Sequence, residues 1–87
     1  MKHIHINISG KVENTGFRFH VFMGASMLGI CGFVLIKDSH VIVEAEGEDA
    51  KLTDFGEWCR RGPEGSSIES LIFSDKDFVG YEDFKIL

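Results

Sequence analysis

Apolar and polar residues alternate from His3 to Ser9, with Ile4, Ile6 and Ile8 on one side and His3, His5, Asn7 and Ser9 on the other. A two-residue period predicts a strand buried on one face. From Arg18 to Leu28 the period lengthens. Val21, Ala25 and Leu28 fall at i, i+4 and i+7, the stripe of an amphipathic helix, and Gly29 is suited to end it. Cys31 to Lys37 reads as an apolar strand, followed by a tight turn over Asp38, Ser39 and His40. Val41 to Gly47 alternates again, with Val41, Val43 and Ala45 opposed to Ile42, Glu44 and Glu46, so these two strands form a hairpin. A second helix starts near Glu48 and Asp49, where acidic side chains favour an N-terminus. Leu52, Phe55 and Cys59 form its buried stripe, Trp58 flanks it, and Gly62-Pro63 stops it. Ser67 to Ser74 alternates imperfectly as a strand, and Tyr81 to Ile86 predicts a short terminal one.

The order β-α-β-β-α-β, with a C-terminal extension, predicts a ferredoxin-like α+β sandwich, one antiparallel sheet with both helices on one face. No repeat, low-complexity tract or linker is visible, and 87 residues suffice for one small domain, so residues 1–87 read as a single unit. Hydrophobic residues at 44% and charged residues at 26% fit a soluble globular fold. A net charge of −5 disfavours nucleic acid as a partner, so any anion must be held by a local positive site.

Val21 to Ile36 carries no charge, but it is shorter than the ~18 residues of a membrane span and is interrupted by Gly24, Gly29 and Gly32. A buried helix running into a buried strand explains it, and no membrane partner is expected. Met1 to Gly10 lacks the apolar core of a signal peptide. Cys31 and Cys59 read as reduced thiols of a cytoplasmic protein, with no zinc spacing. His3 and His5, on the polar side of their strand with no third ligand nearby in sequence, read as solvent-facing rather than metal-binding.

The chemistry concentrates in Gly10 to Arg18, where a strand ends in a short Asn/Gly turn and an arginine opens a helix. Backbone N–H donors, a helix N-terminus and one guanidinium together suit a phosphate-like oxyanion. A cation at a helix start opposes the dipole, so Arg18 needs a specific reason to be there. The first helix also carries Phe19, Phe22, Met23, Ser26 and Met27 away from its core stripe. Phe22 or Met27 would pack on the second helix. Exposed Phe19, Met23 and Met27 would offer a surface for self-association or a protein partner; the alternative is enlarged packing within the chain. Gly24 and Gly56 lie inside helices, each at a cost of about 0.5–1 kcal/mol relative to Ala, and close helix–helix approach would account for them.

The run Gly10-Lys-Val-Glu-Asn-Thr-Gly16-Phe17-Arg18 resembles the acylphosphatase signature G-[RK]-V-Q-G-V-G-F-R. The resemblance continues through Ala25, Leu28-Gly29-Ile30, Gly32-Phe33-Val34, Val43 to Gly47, Glu57 to Pro63 and the closing segment Tyr81 to Ile86, covering essentially the whole chain in order. It implies the same plait and hydrolysis of the carboxyl–phosphate bond of small acyl phosphates without metal or cofactor. It further implies a phosphate-containing anion held by Glu13, Asn14, Thr15, Gly16, Phe17 and Arg18, with Arg18 as the phosphate-binding arginine.

Three departures matter. Asn14 stands where the family has glycine, and Asn tolerates left-handed backbone better than most residues. Glu13 replaces a glutamine and brings negative charge near the anion site. Ile36 occupies the position of the asparagine that orients the attacking water, and isoleucine has no polar group for that task, so Ile36 is expected to be non-functional there. Loss of such a group typically costs about 2.7–4 kcal/mol, or roughly 10²–10³ in rate. Asn14 and the turn residues Lys37, Asp38 and His40 are the alternatives for that role; their plainer reading is as turn residues. The expected function is therefore an impaired acylphosphatase or a non-catalytic phosphate-binding or interaction module on the same fold.

Overall fold

The computed structural model describes all residues, Met1–Leu87. The elements are β1 (Lys2–Lys11), α1 (Phe17–Leu28), β2 (Cys31–Lys37), β3 (His40–Gly47), α2 (Asp49–Arg61), β4 (Ser67–Lys76) and β5 (Phe84–Ile86). They form one five-stranded sheet in the order β4-β1-β3-β2-β5. The expected α+β plait is present, with one correction: β5 runs parallel to β2, so the sheet is mixed rather than wholly antiparallel.

The strand alternation becomes the core. Ile6 pairs with Val43 and Ile8 with Val41, so one sheet face is continuously apolar. Val34 and Ala45 extend it, and Val21 and Ala25 of α1 and Leu52, Phe55 and Cys59 of α2 pack onto it. Burial pushes the Cys59 thiol up to about 12. Cys31, paired with Glu46, lies on the opposite sheet face, so the two cysteines are separated by the sheet, and both are free. The β2–β3 turn is a two-residue loop: Lys37 pairs with His40, and Asp38 and Ser39 both have positive φ, 52° and 66°. That geometry matches the twist of the flanking strands. No helix is long and apolar enough to cross a membrane.

The helices lock at Gly24, where a Cβ would overlap the Trp58 ring. Trp58 Nε1 donates to the His20 carbonyl at 2.6 Å, and His20 Nε2 donates to the Trp58 carbonyl at 2.8 Å. The two rings stack 4.4 Å apart. Gly24 thus has the helix–helix reason expected of it. Gly56 does not: its neighbour is the Phe73 ring of β4. Phe22 packs against Phe84 of β5 rather than on α2. Met27 stays 62% exposed, with Phe19 and Met23 also exposed.

The sheet face away from the helices is not open solvent. Residues 77–83 carry the chain from β4 at one edge to β5 at the other, a distance of about 19 Å at ~4.8 Å per strand. Eight steps from Lys76 to Phe84 reach up to roughly 27 Å, so the segment makes the crossing without full extension. The N–H groups of Val79, Gly80 and Tyr81 donate to the Glu46 carboxylate, and the Tyr81 ring packs edge-on against His3 and Phe33. His3 is therefore 5% exposed, with Nε2 2.7 Å from Glu44 and Nδ1 3.1 Å from Glu46. His5 is half-buried and also bonds Glu44. The expectation of two solvent-facing histidines is corrected, because Tyr81 belongs to this covering strap and not to a terminal strand.

Candidate functional site

β1 ends in a distortion that starts the cradle. Its pairing with β4 shifts register between Ser9 and Gly10, where Gly10 adopts φ 129° and lies too close to the Ser67 carbonyl for a Cβ. The Val12 N–H turns back onto the Gly10 carbonyl at 3.0 Å, and the Thr15 hydroxyl donates to the Val12 carbonyl at 2.6 Å. Asn14 at φ 58° and Gly16 at φ 76° are both left-handed, and together they wrap the chain into the N-terminus of α1. The first helical bond runs from the His20 N–H to the Gly16 carbonyl. Within the turn and first helical residues, the N–H groups of Glu13 to Phe19 have no backbone acceptor. A row of uncommitted donors at a helix N-terminus is an anion-binding arrangement.

Around this loop lies a depression of about 470 Å³ lined by Val12, Glu13, Asn14, Gly16, Phe17, Arg18, Phe19, Ile36 and Ile86. The loop residues from the sequence, Arg18 and Ile36 therefore meet in one place, although Thr15 is spent on the turn itself. Arg18 is exposed and donates through Nη1 to the Leu87 main-chain oxygen at 2.9 Å. A guanidinium has five N–H donors, so this contact leaves capacity for an anion. Ile36 is half-buried, packed on the core and paired with Val41.

The turn residues are elsewhere. Lys37, Asp38 and His40 border a separate hollow with Asn7 and Ile42, and His40 Nδ1 lies 2.6 Å from Asn7 Oδ1. Asn7 and Ile42 belong to the face opposite the core, so this turn cannot stand in for a group at Ile36. Asn14 does line the cradle. The sequence reading missed Ile86 and Leu87, which come to the cradle because β5 pairs with β2 (Val34 with Ile86) and the Leu87 N–H donates to the Val34 carbonyl at 2.8 Å.

The family model described as acylphosphatase matches residues 4–86. The chain is 34% identical over 80 residues to an acylphosphatase of Synechococcus sp. (strain CC9311), covering 91% of this chain and 89% of that protein. It is 32% identical over 87 residues to an acylphosphatase of Thermotoga petrophila, covering 99% and 97%. A crystal structure of acylphosphatase from Bacillus subtilis superposes with a TM-score of 0.97 at 28% identity, over 100% of this chain and 99% of that one.

Proposed function

The chain belongs to the acylphosphatase family, and from that premise we propose that its Glu13–Arg18 loop holds the phosphate of a small acyl phosphate and that water cleaves the carboxyl–phosphate bond slowly. The observation that carries this reading is the shared depression: Arg18, the uncommitted N–H donors and Ile36 line one hollow. Preorganised donors and a guanidinium match the charge that grows on the phosphoryl oxygens as the bond breaks. Water attacks phosphorus, the bond from phosphorus to the acyl oxygen breaks, and the carboxylate leaves with the bonding pair; the water oxygen stays on the phosphate, and its released proton passes to solvent. Ile36 gives that water no hydrogen-bond partner, so positioning and charge stabilisation operate without orientation of the nucleophile. The same residue favours a second reading, in which the loop binds phosphate-containing anions and turns nothing over.

Acyl-phosphate hydrolysis by the wild type, Ile36→Asn and Arg18→Ala separates the two. The first reading expects slow wild-type turnover, a gain of about 10²–10³ in Ile36→Asn, and loss in Arg18→Ala. Wild-type turnover indistinguishable from buffer, with retained phosphate binding, would leave only the second.

A further inference from the structure

Resting on the phosphate-cradle reading above, we infer that the site selects phosphates attached to an uncharged apolar body, gripped by Phe19, Ile36 and Ile86. Two chemistries line the hollow. Glu13, Asn14, Gly16 and Arg18 give it polar lining, and Phe19, Ile36 and Ile86 give it apolar lining that is not fully buried.

Two of these apolar residues are fixed by the fold. Ile36 is backed by the core and held in the β2–β3 ladder. Ile86 is fixed beside Val34 by the parallel pairing of β5. Phe19 follows Arg18 directly on α1 and is 59% exposed, while Ile86 is 43% exposed. A hydrophilic acyl group would leave these three surfaces in water; an aryl or branched aliphatic one would cover them. Exposed Glu13, lining the same hollow in a chain of net charge −5, opposes a second negative charge on the ligand.

The test measures dissociation constants by NMR titration for inorganic phosphate, methylphosphonate, phenylphosphonate and phosphonoacetate, none of which the reaction would consume. Phenylphosphonate is expected to bind about tenfold tighter than methylphosphonate, because its ring covers apolar surface that a methyl group leaves in water. Phosphonoacetate should bind more weakly than either. Phe19→Ser and Ile86→Ser should bring the phenyl-to-methyl ratio towards one, a ratio taken within each variant so that any common change in phosphate affinity cancels. Equal affinity for the phenyl and methyl probes, or tight binding of phosphonoacetate, would overturn the selectivity and leave the cradle standing. If inorganic phosphate itself does not bind, the cradle and the inference fall together.

Discussion

At position 14 the turn requires a backbone angle. Asn14 sits at φ 58°, two residues before Gly16 at φ 76°. The left-handed region costs an ordinary L-residue roughly 1–2 kcal/mol, less for Asn and nothing for Gly. Asn14→Gly is therefore expected to keep the loop and a similar thermal midpoint. Asn14→Val should lose about 1–2 kcal/mol, or roughly 5–10 °C for a domain this size. Thermal unfolding of the two variants checks this. Turnover of Asn14→Gly checks the other role: it should match the wild type, and a fall of about 10²–10³ would mean that the Asn14 amide has taken over the water.

Among the elements, the α1–α2 contact shows a local preference overruled by packing. Alanine is the better helix former by about 0.5–1 kcal/mol, yet a Cβ at Gly24 would overlap Trp58. Trp58 cannot readily move, because its ring is hydrogen-bonded to and stacked on His20 and covered by the Arg61 guanidinium 4.8 Å from the ring. Gly24→Ala is expected to destabilise by about 1–3 kcal/mol net, the cost of overpacking a close contact. Chemical denaturation followed by the emission of Trp58, the only tryptophan, measures it. A neutral or stabilising result would mean that the helices simply separate.

The periodic elements were legible because their hydrophobic repeats are local: Ile6 and Ile8 alternate, and Leu52, Phe55 and Cys59 recur at helical spacing. The loop to Arg18 was legible for the same reason. Ile86 and Leu87 were not, since their place beside Arg18 depends on β5 pairing with a strand far earlier in the chain. Residues 77–83 were not either, because their backbone bonds to a side chain, Glu46, and so carry no period.

Over the whole molecule, that strap joins the two ends of the sheet. It leaves β4, is held at Glu46, and continues into β5, which carries Ile86 and Leu87 to the cradle at the far end. Burial of the Glu46 carboxyl works to raise its pKa, but the N–H donors of Val79, Tyr81 and Gly80 and the nearby His3 outweigh burial and hold it below its ordinary 4.5. Tyr81 is pushed up by its own burial and by the charges of Glu44 and Glu46. With the folded Glu46 pKa lowered, the unfolded chain binds more protons between the two values, so stability rises with pH across that window. The contribution is fully present above 4.5 and is lost as pH falls through the folded value.

Glu46→Gln keeps one acceptor oxygen but turns an amide donor towards strap N–H groups, so it should cost about 1–3 kcal/mol at pH 6. His3, His5, Glu44 and Tyr81 face the same carboxylate or its neighbours, so the comparison must be between variant and wild type at each pH. Urea unfolding of both proteins at pH 6 and pH 3 should show the gap narrowing in acid. A gap of the same size at both pH values would mean that the charge on Glu46 does not hold the strap. If the strap does set the position of β5, phosphate binding by Glu46→Gln should weaken at pH 6 although position 46 lies at the opposite end of the sheet from Arg18.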